Sequence, residues 1–291
     1  MKKLISFAVA GMFALSLAAC GSSSSAAASS TESSAESTAA STADSAAADS
    51  DLAYLQNKGK MTIGYTVYEP MNYTDESGTF TGFDTELATA VCEKLGVEPD
   101  FVEINWDTKE TELAAKSIDC IWNGFTMEGR EDDYTFSEPY MLNEQVLVVK
   151  KDAGIKSWDD LAGKTVITQT DSAAQDVLEG DQKDLAATFA TLDTIGEYNT
   201  AFMQLESGAV DAVACDLSIA QYQLAAKPDA YTQLDKPLSS EHYSVGFKKG
   251  DTKSADAVTE SLKALYEDGT VKDLCDKHAD YGLSFDNWVL K

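Results

Sequence analysis

Apolar and polar positions along this chain switch repeatedly between a period of two and a period near 3.6. Lys60-Met61-Thr62-Ile63-Gly64-Tyr65-Thr66 alternates and predicts a first strand, and Tyr68-Glu69-Pro70-Met71 leaves it as a loop. After the Glu76-Ser77-Gly78 turn, Gly82-Phe83-Asp84 opens a predicted helix. Asp84 is the expected cap, Leu87, Val91 and Leu95 form one face, and Gly96 is the stop. A strand over 100–104, a helix over 109–115 and a strand over 119–122 follow. A similar series restarts at Trp158, with a short helix, a strand over 165–168, a helix opening near Ser172 and a weaker strand around 187–189. It continues with a helix over 195–205 and a strand over 212–215. Strand and helix in alternation predict an α/β fold in two halves.

Between the halves lies the apolar run Gln145-Val146-Leu147-Val148-Val149, and near the end His242-Tyr243-Ser244-Val245-Gly246-Phe247 alternates as a further strand. Two strands crossing between two lobes form a hinge. Helices over 254–267 and 271–277 are expected to return to the first lobe. The expected division is lobe 1 over 52–146 and 246–291, and lobe 2 over 147–245.

The N-terminal pattern differs. Lys2 and Lys3 precede an apolar run from Leu4 to Leu17, too short to span a bilayer but long enough for a secretion signal. It ends in Leu17-Ala18-Ala19-Cys20-Gly21, which resembles the bacterial lipoprotein signal. That resemblance implies a signal peptide over 1–19 and a lipidated Cys20 as the mature N-terminus. From Ser22 to Ser50 the chain is almost entirely Ala, Ser and Thr with scattered acids. It has no large side chains to bury and reads as a flexible tether, 20–51 in all. With no second apolar span, the folded part is expected outside the membrane, held by lipid alone at the extracytoplasmic face.

Charge narrows the function. Acidic residues outnumber basic ones by 49 to 22, a formal charge of −27, which excludes the basic face that nucleic acid or anionic lipid head groups demand. Cys92, Cys120, Cys215 and Cys275 have long spacings and apolar surroundings. They match no metal pattern and read as buried thiols, with Cys92 and Cys120 left open as a pair.

Arg130 is the sole arginine. A guanidinium grips a carboxylate through two parallel hydrogen bonds as lysine cannot. An ion pair with Glu131, Asp132 or Asp133 is the alternative.

Several segments together carry a resemblance. They are Gly82-Phe83-Asp84-Thr85-Glu86-Leu87-Ala88, Trp122-Asn123-Gly124-Phe125-Thr126 followed by Arg130, Phe136-Ser137-Glu138-Pro139-Tyr140, Gln169-Thr170-Asp171-Ser172, and Val210-Asp211-Ala212-Val213-Ala214-Cys215-Asp216. From Lys60 to Tyr281 the chain resembles the family 3 solute-binding proteins, the polar amino acid receptors of ABC importers. The resemblance implies a two-lobed periplasmic-binding-protein-like (type II) fold with a two-strand hinge and an interlobe cleft. It implies that Arg130 clamps the ligand α-carboxylate and that Asp216 accepts hydrogen bonds from the α-ammonium. Gly124 and Thr126 add further contacts, Ser172 donates to the carboxylate, and Tyr68 stacks on the ligand side chain. Trp122 and Trp106 are candidates for the other walls. Read by residue type alone, Asp216 and Ser172 are also expected helix caps.

Two departures stand out: Met127-Glu128-Gly129 is one residue shorter than usual before the arginine, and Asp171 stands where the family commonly has Gly. Glu69 and Asp107 are nearby acids suited to a cationic side chain. No lysine is evident near the motifs to pair with a second carboxylate, so a neutral polar or cationic amino acid is expected over an acidic one. No cofactor and no metal are expected. The expected partners are the free amino acid and a membrane permease with its ATPase, and the protein is expected to be a monomer. The rival readings are a dehydratase-like enzyme on the same fold and a ligand-sensing domain. His242 and His278 lie far from the motifs, which leaves Glu69 or Glu128 to act as acid or base in an enzyme.

Overall fold

A computed structural model of the chain describes residues 50–291. The expected signal peptide, Cys20 and nearly all of the expected tether lie outside the described residues.

Ser50 caps the first described helix, α1 (Asp51–Lys58), its hydroxyl accepting from the Ala53 amide at 3.1 Å. Then come β1 (Lys60–Tyr65), the ribbon of β2 (Tyr73–Thr74) and β3 (Phe80–Thr81), α2 (Phe83–Leu95), β4 (Glu98–Glu103), α3 (Lys109–Ala115), β5 (Cys120–Ile121) and β6 (Tyr134–Phe136). The second series is β7 (Met141–Lys150), β8 (Thr165–Gln169), α4 (Ala173–Glu179), α5 (Lys183–Ala186), β9 (Thr191–Ile195), α6 (Tyr198–Ser207), β10 (Ala212–Asp216), α7 (Leu217–Ala226), β11 (Tyr231–Gln233) and β12 (Ser239–Tyr243). The chain closes with β13 (Gly246–Lys248), α8 (Thr252–Glu267) and α9 (Thr270–Lys277).

These strands form two main sheets, and each organises a lobe. The first runs β4-β1-β5-β13-β6, with β1 parallel to β4 and β5 and with β13 antiparallel to both neighbours. The second runs β11-β7-β10-β8-β9, and β12 pairs with the first half of β7. Every residue of β10 is buried, as befits a strand covered on both faces. Leu87 and Val91 of α2 are fully buried with Val258 and Leu262 of α8, each such side chain contributing about 1.5–3 kcal/mol. That seam holds the C-terminal helices on the first lobe.

The chain passes between lobes twice, side by side. Residues 137–140 lead out of β6 into β7, and residues 244–245 lead from β12 back into β13. Ser137 donates its amide to Val245 O at 3.0 Å, and Tyr140 does the same to Tyr243 O at 2.9 Å. The apolar run at 145–149 is part of β7, while the expected strand over 242–247 is broken at Ser244 and Val245, where the chain changes sheets.

Two other expectations are corrected. Residues 187–189 are not a strand: they follow the short α5, and β9 lies at 191–195 as an exposed edge strand with little apolar patterning. Asp84 does not cap α2. Gly82 holds the N-cap at φ +124°, where a Cβ would lie 2.2 Å from Met71 O, so only glycine fits. Asp84 turns inward instead, accepting from Gly124 N at 2.6 Å and Tyr140 OH at 2.8 Å. Burial pushes its carboxyl up to about 6 despite those donors.

Cys92, Cys120, Cys215 and Cys275 are all buried free thiols. Among the described residues no helix is long and apolar enough to cross a membrane.

Candidate functional site

The loops at the C-terminal ends of β1, β4, β5, β8 and β10 converge between the two sheets, the position where open α/β sheets place ligands. They enclose a cavity of about 410 Å³ that includes some open solvent. Tyr68, Gly124, Thr126 and Arg130 reach it from the first lobe, and Ser172 and Asp216 from the second. The structure thus brings six of the seven sequence-predicted residues together.

Trp122 is the exception. Its ring is wholly buried 6.4 Å from that of Tyr140, in the core of the first lobe rather than against the cavity. Trp106 supplies a wall instead. Its indole N–H donates to Asp171 O at 3.0 Å across the cleft, and its ring meets Phe125 edge-on at 5.5 Å.

Arg130 is 8% exposed and lies off the outer rim. The short Met127-Glu128-Gly129 turn is pinned to β12: Met127 N donates to His242 O at 3.1 Å, and the Glu128 carboxylate takes both the amide and the ring Nδ1 of His242. This turn aims the Arg130 side chain over the Phe125 ring, 5.5 Å from its centroid. Nη1 donates to Thr126 O at 3.3 Å, and Nη2 donates to Asp176 Oδ2 at 2.7 Å. The partner is therefore an acid of the opposite lobe, not Glu131, Asp132 or Asp133.

Asp171 takes a left-handed backbone, φ +59°, which glycine adopts freely and Asp tolerates better than most residues. Its carboxylate pairs with Lys109, a side chain only 2% exposed at the start of α3. The sequence reading found no lysine at the site. The fold brings this one beside it, already engaged by Asp171.

Asp216 occupies the N-cap position of α7 but makes no side-chain cap bond. Its Oδ1 turns inward and accepts from Asn143 and Gln145, each at 2.8 Å, and from Tyr243 OH at 3.1 Å. Burial first, and then the neighbouring Glu241 carboxylate, raise its pKa to about 7. Ser172 does cap α4, accepting from Gln175 N at 3.2 Å, and its hydroxyl still lines the cavity. Tyr68 is fixed by hydroxyl contacts to Ser218 at 2.7 Å and Tyr243 at 2.6 Å.

Other lining residues were not singled out from sequence. Asn123 accepts from Thr66 N and Oγ1 and donates to Thr66 O and Asn72 Oδ1, locking the loop that carries Tyr68. Gln169 and Tyr198 line the second lobe's side. The sequence did carry a signal for Asn143 and Gln145: two amides two residues apart on β7, with Glu144 between them, face one way. Glu69 and Asp107 do not line the cavity; Asp107 is exposed, and Glu69 accepts from Asn199 at 3.4 Å. Among the described residues no group of three or more His, Cys, Asp or Glu is placed to hold a metal.

Comparison with known proteins agrees with this geometry. The family model of bacterial extracellular solute-binding proteins, family 3, matches residues 61–281. The chain is 31% identical over 235 residues to the L-cystine-binding protein TcyA of Bacillus subtilis, covering 79% of this chain and 85% of that one. It is similar in structure to an ABC uptake transporter substrate-binding protein from Streptococcus pneumoniae solved with bound histidine. That likeness has a TM-score of 0.76 and 33% identity, over 79% of this chain and 96% of that one. An ancestral amino acid-binding protein, a precursor of cyclohexadienyl dehydratase, is similar at TM-score 0.71 and 29% identity, over 78% and 99% of the two chains.

Proposed function

We propose, from the premise that the chain belongs to the bacterial extracellular solute-binding proteins of family 3, that it captures a free amino acid between its lobes and delivers it to an ABC permease. One observation carries this reading: opposite charges from different lobes, Arg130 and Asp216, are both buried and line one cavity. A zwitterion answers both, whereas a molecule bearing one of the two charges leaves Arg130 with Asp176 alone or Asp216 without an ammonium.

In this proposal the α-carboxylate takes the Arg130 guanidinium, with the Ser172 hydroxyl and the Gly124–Thr126 turn beside it. The α-ammonium takes the Asp216 carboxylate, whose Oδ2 has no partner within the chain among those that hold Oδ1. Tyr68 and Trp106 flank the side chain. The remaining wall is uncharged, with Thr66, Asn123, Gln169 and Tyr198 set among the apolar Val67, Phe125 and Ala173. This favours a neutral polar side chain first and a cationic one second. An acidic ligand would bring a second carboxylate to a site where Lys109 does not line the cavity and the acids Asp171 and Asp176 already stand.

Titration calorimetry tests the assignment. Arg130→Ala is expected to weaken binding of the cognate amino acid by roughly 2–5 kcal/mol, since a buried carboxylate loses its partner. Unchanged affinity removes the central claim. A thermal-shift panel of the common amino acids and cystine identifies the ligand, because bound ligand raises Tm by mass action. Recovery of that ligand unaltered after incubation separates a receptor from a dehydratase-like enzyme.

Anchoring belongs to the same proposal: lipid on Cys20 holds the protein at the extracytoplasmic face, beside the permease that it serves. Cys20→Ala is expected to move the protein from the membrane fraction to the medium. Retention in the membrane fraction argues for another anchor.

A further inference from the structure

Behind the cavity two carboxylates lie together without a cation. Asp216 ends β10 and Glu241 sits on β12, at 7% and 3% exposure. Asn143 Nδ2 donates to Asp216 Oδ1 and to Glu241 Oε1, both at 2.8 Å. Gln145 Nε2 donates to the same two oxygens at 2.8 and 2.7 Å. Each amide nitrogen therefore gives one hydrogen to each acid. Thr126 Oγ1 adds a bond to Glu241 at 2.6 Å, and Tyr243 OH adds one to Asp216 at 3.1 Å.

The groups around this pair offer no countercharge. Tyr68, Tyr198 and Tyr243 are phenols whose pKa burial raises well above the ordinary value, so they stay neutral. The buried thiol of Cys215, next on β10, is raised likewise. On the outer side of β12, His242 is taken by Glu128. The cations of the cleft are held by other acids, Arg130 by Asp176 and Lys109 by Asp171. Two buried carboxylates sharing the same donors, with no cation between them, do not both ionise cheaply.

We propose that the Asp216 carboxyl, packed beside Glu241, holds a proton while the site is empty and releases it when the ligand ammonium arrives, so that amino-acid capture is coupled to proton release. This rests on the assignment of Asp216 as the ammonium acceptor. The charge balances: the Asp216 side chain is neutral with the proton and carries one negative charge without it. The incoming ammonium brings the positive charge that replaces the proton, which goes to solvent. Glu241 does not line the cavity. It is a positioning residue that acts through Asp216, with burial and Glu241 both raising the carboxyl of Asp216.

Titration calorimetry of the parent protein in buffers of low and high ionisation enthalpy reads the proton directly. L-glutamine and L-arginine are the first probes, followed by the tightest binder of the thermal-shift panel. At pH about 6, the observed enthalpy is expected to vary with buffer by close to one proton released per ligand bound. Affinity is expected to rise with pH by up to about tenfold per unit until Asp216 is fully ionised, because only its carboxylate serves the ammonium. Glu241→Gln keeps the Oε1 acceptor for its three donors and is expected to weaken both the buffer dependence and the pH dependence, since burial alone still raises the Asp216 carboxyl.

A buffer-independent enthalpy in the parent at that pH overturns the proposal whether or not the variant folds. A folded variant that releases as much proton as the parent at every pH overturns it too. A parent that binds amino acids without proton release defeats this inference alone, whereas one that binds no amino acid in the panel defeats the proposed function and this inference with it.

Discussion

A Cβ added at Gly124 would meet Tyr68 Cε1 at 2.8 Å and Tyr243 Cζ at 3.2 Å, on backbone held at φ +56°. Those two rings are linked through their hydroxyls and reach Ser218 of the other lobe, so they cannot shift independently. Gly124→Ala is expected to cost about 1–3 kcal/mol of stability from backbone strain and overpacking. It should also weaken ligand binding by moving the Tyr68 ring. Melting temperature and calorimetry measure the two effects, and a variant matching the parent in both shows that the rings yield freely. Asp216 poses the opposite trade. Its carboxyl is raised above its unfolded value, so the folded state holds the proton more tightly and its ionisation opposes folding. That penalty is absent below about pH 4 and complete above about pH 7. Asp216→Asn keeps the Oδ1 acceptor and removes the penalty. The Tm of the ligand-free variant is therefore expected to rise relative to the parent across that window, by several degrees, while amino-acid binding is lost. A Tm difference that does not change with pH contradicts this account.

At the scale of elements, periodicity found what periodicity can encode. Alternation placed β1, a continuous apolar run placed the core of β7, and the helical faces of α2 and α8 are legible because Leu87, Val91, Val258 and Leu262 repeat toward a buried side. It failed where burial and pattern part company. β9 is an exposed edge strand with little apolar signal, and the apolar Leu185 to Phe189 stretch next to it invited the wrong assignment. It also read one strand through 242–247, because a switch between sheets at Ser244 and Val245 leaves the alternation intact. The cavity was legible in part for a related reason. Gly124, Arg130 and Asp216 lie at strand ends, where loops converge. Trp122 and Trp106 are the same residue type at two strand ends, and only the packing decides which becomes wall and which becomes core. Lys109 could not be placed at all from sequence. It sits 21 residues before Arg130 and 62 before Asp171, and only the folded lobes bring the three together.

For the molecule as a whole, the lobes are held together by polar contacts that do not require a ligand. Trp106 reaches Asp171, Arg130 reaches Asp176, Tyr68 reaches Ser218, and Lys109 pairs with Asp171. The last differs from the rest because Lys109 is almost wholly buried while the Asp171 side chain is 50% exposed. Opening the cleft would therefore leave the ammonium with only the Trp106 carbonyl at 3.4 Å and the Trp106 ring at 4.9 Å, whereas the carboxylate would find water. The pair thus penalises the open form mainly through the lysine. Lys109→Met removes the buried charge while keeping the stem's packing, so the fold is spared and the closed state loses a tie. Ligand dissociation is expected to accelerate roughly threefold to thirtyfold with little change in association, since interface changes act mostly on release. Asp171→Asn should add little in the Lys109→Met background, because the two side chains form one interaction. Small-angle scattering supplies an independent check: the ligand-free Lys109→Met protein should have a larger radius of gyration than the ligand-free parent, and saturating ligand should bring the two together. Equal radii without ligand, combined with unchanged release, would place the work of closure in the ligand and the hinge rather than in this pair.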